Sequence, residues 1–433
     1  MSSDSRLRRV FKLLTQFLGG QAAIQVLNAA TGLLLLRLMP TSDYAAYSLA
    51  FGIQSTMGMF TDLGFGGAVI ALTGTRFGDR EILGRYIAAA SLIRKRLLIV
   101  VTLGGLLLIF YSNKLRGLPV PELVLLAAAI LVALQFQGWT AYFDAPLLLH
   151  GKLKDYYLPQ LLGAVFRLCI SLGLFYFHLL SAVTAVWVST ISIILIGINY
   201  RYKSRELITL PVDKPTDTVL EMAKYLLPLL PATIYMAFQA QISLFLIAAY
   251  GHLKEVAEVA ALGRLGQLFL LLNIANSILL APQIAKSPSR TLRKRYFFAL
   301  FLVTSVAFVL SISAKLFPEM YLFVLGPKYH GLRLEVLYVV LSSSIGYVSG
   351  AMWSMNSARK WVFWWTGTIQ VVVVFGTQLS CIFFLPLSTS AGVLAMGIWV
   401  NTAALLVQSV ITFEGFRRER KAEQTVEQNV LKV

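Results

Sequence analysis

Leu13-Leu-Thr-Gln-Phe-Leu-Gly-Gly-Gln-Ala-Ala-Ile-Gln-Val-Leu-Asn-Ala-Ala-Thr-Gly-Leu-Leu-Leu-Leu-Arg-Leu-Met39 is the stretch whose reading decides the fold. A hydrocarbon core is crossed by about 20 helical residues, and this run exceeds that length. Arg6, Arg8, Arg9 and Lys12 precede it, as basic residues precede a secretory leader. The run is too long for the apolar region of such a leader, so it reads as an uncleaved first span entered from the cytoplasmic side. The four consecutive leucines at 33–36 break the in-out alternation that a membrane β-barrel strand needs. Lipid leaves backbone groups no water to bond, so a spanning segment that is not a barrel strand is a helix.

The rest of the chain repeats the pattern. Of its 433 residues 57% are apolar and only 13% charged, with a mean hydropathy of +0.72. Soluble domains carry about a quarter charged residues, and half that value leaves too little polar surface for a water-soluble fold. Spans are predicted near 13–38, 44–73, 86–111, 122–149, 157–179 and 182–200, and again near 225–249, 257–282, 296–317, 332–355, 361–386 and 390–413. In the third, Ile82, Leu83, Tyr86, Ile87 and Ala90 share a helical face just ahead of Arg94-Lys95-Arg96. That pattern predicts a long helix whose basic half projects beyond the cytoplasmic face, with lipid burial starting near Leu97. Trp361, Trp364 and Trp365, beside Arg359-Lys360, read as an interfacial aromatic anchor.

Charge fixes the orientation. With the N-terminus inside, 29 of the 38 Lys and Arg fall on cytoplasmic segments and six outside, the bias expected of inner loops. The net charge of +18 is thereby explained without nucleic acid. Both termini are expected to be cytoplasmic. The expected fold is an all-α integral membrane protein of about twelve spans in two pseudo-symmetric six-helix lobes, 1–205 and 225–414. A hydrophilic linker, 206–224, joins them and a cytoplasmic tail, 415–433, follows. The lobes rest on a faint repeat: residues 38–50 after span one and 250–262 after span seven are each a short outer turn, an acid and a small-residue helix start. Two repeats in one orientation suit an alternating-access transporter.

Several chemistries are excluded. No phosphate-binding G-x-x-x-x-G-K-[ST] loop, H-E-x-x-H or C-x-x-C occurs. The four histidines are scattered, and the two cysteines, Cys169 and Cys381, lie in apolar spans. No metal, cofactor or enzymatic activity is expected, and the short outer loops offer no catalytic cluster. What remains are polar residues within spans, which are costly there and mark function by default. Arg167 sits at the centre of its span, where an arginine costs about 2.5–3.5 kcal/mol, on one face with Gln160 and Ser171. It reads either as a cavity cation for an anionic group or as a structural ion pair with Asp62 or Asp144. Asp62, aligned with Gln54 and Gly58, reads as a proton-coupling carboxylate, as the partner of an arginine, or as a structural acid beside the glycines 64, 66 and 67. Arg264, with Gln267, either lines a cavity or snorkels to the outer surface. Gln21, Gln25 and Asn28 form a polar stripe on span one, and Tyr235, Gln239 and Ser243 one on span seven. Such stripes suit either a hydrated vestibule or interhelical hydrogen bonds. Gln135, Trp139 and Tyr142 share a face of span four, suited to packing or to stacking on a sugar ring.

Leu38-Met-Pro-Thr-Ser-Asp-Tyr-Ala-Ala-Tyr-Ser-Leu-Ala50, Asp62-Leu-Gly64 and Lys224-Tyr-Leu-Leu-Pro-Leu-Leu-Pro231 resemble the Wzx-type polysaccharide and O-antigen flippases of the multidrug/oligosaccharidyl-lipid/polysaccharide exporter superfamily. The resemblance implies two six-helix lobes around a central cationic cavity in the bacterial inner membrane. It implies a partner too, an undecaprenyl-pyrophosphate-type lipid-linked oligosaccharide moved to the outer leaflet, amid membrane lipids and polysaccharide polymerase machinery. On that reading Arg167 binds the pyrophosphate or acidic sugars and Asp62 couples an ion. The alternatives are a multidrug or small-solute antiporter of the same superfamily, a membrane-embedded glycan-assembly enzyme, and a scaffold or receptor without transport.

Overall fold

The computed structural model describes residues 3–73, 76, 78–111, 119–211, 213, 215–227, 230–239, 241–285, 287–359, 361, 363 and 365–430. Lys114, Arg116, Lys214, Pro228, Lys286, Lys360 and Trp364 lie outside them. Every regular element among the described residues is a helix, and nine helical stretches are long and apolar enough to cross a membrane. The protein is an all-α integral membrane protein. Its backbone divides into two compact units, Met1–Ala249 and Tyr250–Val433.

The first unit begins with α1 (Ser3–Leu38), α2 (Thr41–Asp62), α3 (Phe65–Thr73), α4 (Arg80–Tyr111) and α5 (Val120–Leu149). It continues with α6 (Leu153–Tyr176), α7 (Ala182–Ser204) and three short helices, α8 (Thr216–Leu226), α9 (Leu230–Gln239) and α10 (Ile242–Tyr250). The second predicted span is thus α2 and α3 in series. Leu63 (φ 45°) and Gly64 (φ 76°) turn the chain through left-handed backbone between them, a conformation glycine adopts at least cost.

Of span seven, Leu230–Gln239 and Ile242–Tyr250 are helical, and Pro228, Leu229 and Ala240 lie outside the described residues.

The stretch 206–224 is no free linker. Leu207, Ile208, Met222 and Leu226 are buried with Phe65, Leu83 and Tyr142 in one apolar cluster. The Thr209 amide donates to the Arg80 carbonyl at 2.9 Å, and the Tyr86 hydroxyl donates to Glu221 at 2.9 Å. Gly84 permits the strap, the described residues of 205–215, to lie on α4 at Thr209, because a Cβ there would collide with the Thr209 carbonyl. Gly84→Val is expected to lift the strap. Limited proteolysis within 205–215 would then speed up several-fold, whereas an unchanged digestion rate would show the strap held elsewhere.

α4 is one long helix, as expected, and Leu83, Tyr86, Ile87 and Ala90 are buried on one face. Its basic half does not project as a whole. Lys95 and Arg96 are exposed, but Arg94 is only 3% exposed, because it continues the Ile87–Ala90 face one turn further.

The second unit comprises α11 (Leu253–Ala285), α12 (Ser289–Leu316), α13 (Pro318–Leu325), α14 (Arg333–Ala358), α15 (Thr366–Phe384) and α16 (Ser390–Val430). A 3-10 turn, Pro327–Tyr329, precedes α14. α16 is continuous far past the apolar stretch. Its segment after 414 is anchored by an ion pair from Arg359 to Glu419, and Phe416 meets Trp361 edge-on at 4.8 Å.

Trp361 is therefore not an interfacial anchor. It is 5% exposed, packed on Gly415 and near Tyr296.

A buried polar network centres on Asn356. Its Oδ1 accepts from Tyr296 at 2.8 Å and from Thr412 at 3.1 Å, and its Nδ2 donates to Gln408 at 3.2 Å. Asn356→Leu takes the amide donor from Gln408 Oε1 and leaves the Tyr296 hydroxyl with Thr412 alone, at 3.0 Å; a buried group left unsatisfied costs about 1–3 kcal/mol. This substitution is expected to lower the detergent melting temperature more than Thr412→Val, which removes fewer of these bonds. Equal shifts would mean the network relaxes around either change.

Candidate functional site

α6 carries Arg167 in mid-helix, two turns from Gln160. Its guanidinium donates to Asn28 Oδ1 on α1, and Tyr47 of α2 lies within electrostatic reach. Among the described residues no carboxylate forms an ion pair with it, and its Nε is buried without a hydrogen-bond partner. The alternative reading, an ion pair with Asp62 or Asp144, is not what the described residues form. Gln160 turns to another task, donating to the Tyr200 hydroxyl at 2.6 Å, which itself donates to the Tyr156 carbonyl at 2.6 Å. Gln21 and Gln25 are half-buried on the helix that supplies Asn28. The structure thus joins the α1 stripe to Arg167 through Asn28.

Asp62 lies in a different cluster. As the last residue of α2 it accepts the backbone N–H groups of Gly64 and Phe65, an anion capping the start of α3. Arg94 of α4 is the cation within its electrostatic reach. The Arg94 guanidinium donates to the Leu134 carbonyl of α5 and lies on Gly138, where any Cβ would occupy its place. Asp144 of α5 is within electrostatic reach of Asp62. Its Oδ1 is buried without a partner among the described residues and would stand 3.0 Å from a Cβ on Gly66. Gln137 of α5 presses on Gly58 of α2 in the same manner. The small residues of the Gly58–Gly67 stretch let α2 and α3 approach α5 closely enough to bury these polar side chains.

Tyr235 of α9 is half-buried, with a hydroxyl lacking a partner among the described residues, and Gln239 is half-buried on the same helix. Next to Gln239 in the chain, Phe238 meets Phe60 of α2 edge-on at 5.1 Å. In the second unit Arg264 reaches Gln267 at 3.5 Å. Arg201 stacks 4.5 Å over the Trp139 ring, and Phe136 meets that ring edge-on at 4.8 Å.

No family model matches the chain, and no curated protein matches it either. Solved structures do. An inward-facing multidrug resistance MATE family transporter of the MOP superfamily superposes with a TM-score of 0.66 at 15% identity, covering 93% of this chain and 96% of that one. The lipid II flippase MurJ, in an inward closed conformation, gives 0.69 at 13% identity over 93% and 89%. The chain shares its fold with these two transporters. A MATE in complex with MaD3S aligns over 96% of both chains with a TM-score of 0.58 and 16% identity. Of the residues gathered in these clusters, the sequence singles out Arg167, Asn28 and Asp62 as candidates. It missed Arg94 as a buried group and Asp144 as a neighbour of Asp62. The signal for Arg94 was its register with Ile87 and Ala90.

Proposed function

We propose that this protein is a flippase that moves a polyprenyl-pyrophosphate-linked oligosaccharide from the inner to the outer leaflet of the bacterial cytoplasmic membrane. It is read as a transporter rather than an enzyme, with twelve spans in two six-span repeats and both termini cytoplasmic. The observation that carries this reading is Arg167, a guanidinium within an apolar helix whose hydrogen-bond partner is a neutral amide. A cation held in such a place without a carboxylate is stabilised by an anionic ligand. A lipid-linked glycan supplies that anion as a pyrophosphate while its tail stays in lipid. Gln21, Gln25, Asn28, Tyr235, Gln239 and Arg264 are proposed to line the polar path, Asp62 to couple an ion, and alternating access of the two repeats to carry the head across. A relative in fold, the lipid II flippase, supports a lipid-linked cargo.

The Asp62–Asp144 pair favours a second reading, an ion-coupled antiporter for cationic drugs or small solutes, and the multidrug MATE transporters support it. One experiment separates the two. The gene is deleted in its native host and lipid-linked oligosaccharides are measured on each leaflet. Repeat units trapped inside, with surface polysaccharide lost, are the expected result. Unchanged glycans together with new drug sensitivity would establish the antiporter instead.

A further inference from the structure

A cavity of about 400 Å³ lies wholly within the first unit, away from Arg167, among α4, α5, the end of α7 and the strap. It falls within the range of small-molecule sites, about 300–1,000 Å³. Its polar wall holds Lys95 and Arg201, with Ser91, Gln135 and Tyr142; its apolar wall includes Ile87, Leu92, Phe143, Leu210 and Pro211. Asp213 on the strap lines it as well, leaving one net positive charge. Among the described residues neither Lys95 nor Arg201 forms an ion pair, with Asp213 or any other acid. Arg201 is held in place by stacking on Trp139, so its charge is positioned without being neutralised.

The location identifies the ligand class. Arg201 lies in the last turn of α7 with Lys203, where an apolar span gives way to a basic segment and hence at a bilayer surface. α7 leaves Leu195, Ile198 and Tyr202 exposed on the turns around Arg201, and Leu210 on the strap is exposed too. A soluble phosphate would use the cations and ignore the apolar wall and the lipid-facing rim. A phospholipid uses all three, since basic pockets between spans at a membrane surface hold anionic headgroups. We infer that this cavity binds the headgroup of an anionic glycerophospholipid, its phosphate on Arg201 and Lys95 and its glycerol against Ile87, Phe143 and Leu210. On the proposed topology the lipid belongs to the cytoplasmic leaflet. The strap that roofs the site begins the connection to the rest of the chain, so occupancy steadies that connection. The site is independent of the transported cargo.

The test uses the full-length protein in phosphatidylcholine nanodiscs with phosphatidylglycerol added, read by native mass spectrometry of retained lipid. The wild type is expected to retain phosphatidylglycerol in preference to phosphatidylcholine. Lys95→Ala and Arg201→Gln should each weaken that preference about fivefold, and the pair about thirtyfold. Lys95→Glu, at an exposed position, carries the test if Arg201→Gln does not fold. Unchanged preference in the variants overturns the site. Displacement of the retained lipid by millimolar inorganic phosphate, with equal stabilisation by phosphate in lipid-free detergent, overturns the lipid as its source.

Discussion

Arg167→Ala is expected to reduce export of the lipid-linked glycan by about thirtyfold to several thousandfold, while the protein still inserts and accumulates. The range follows from removing one member of a desolvated charge pair, about 2–5 kcal/mol, the other member being the anionic cargo. Insertion should survive, because replacing an arginine at mid-span by alanine lowers the cost of placing α6 in lipid. Arg167→Lys should retain part of the activity, keeping the charge but losing the planar fork. Asn28→Ala, which frees the guanidinium without removing it, should fall between the wild type and Arg167→Ala. The measurement is leaflet-resolved lipid-linked oligosaccharide in complemented deletion cells. Full export by Arg167→Ala at wild-type protein levels would remove this residue from the transport path.

The largest effect on stability is expected at Arg94. Arg94→Met removes the hydrogen bond to the Leu134 carbonyl and takes the neighbouring cation from Asp62, and charged hydrogen bonds contribute about 1.5–3 kcal/mol each. Gly138→Ala should cost a similar amount by a different route, evicting the guanidinium from the surface it occupies. The two changes remove the same contact, so the double variant should lose much less than the sum of the singles. Melting temperatures of the purified proteins in one detergent decide the matter. Strict additivity would show that Gly138 and Arg94 act on separate parts of the first unit.

These two arginines also show which features were legible in the sequence. Fold class was legible because span length and apolar composition are properties of the chain taken in order. Arg167 was legible for the same reason, being a lone charge in the middle of an apolar run. Arg94 was hidden by its company. Beside Lys95 and Arg96 it reads as one of three surface charges, although helical register separates it from both and sets it on the Ile87–Ala90 face. Trp361 was misread similarly, as an aromatic next to a basic pair. What buries it, Gly415 and Phe416, lies more than fifty positions away and leaves no local trace. The role of Asp62 as a cap for α3 depends on the left-handed turn at Leu63–Gly64, and only Gly64 hints at that. The Asn28–Arg167 contact joins two separate polar stripes, and nothing in either stripe names the other.

The packing of the strap and of α8–α10 onto the first unit bears on how the gene can be divided. A cut at the hydrophilic midpoint, after residue 205, would leave the first fragment without the four apolar side chains that complete its core and give the second fragment an exposed sticky leader. A cut between codons 249 and 250 keeps each fragment's own core intact. Two-plasmid expression should yield stable, membrane-inserted halves from the later cut and degraded ones from the earlier. Complementation assays and fluorescent fusions are accordingly better built at the later junction.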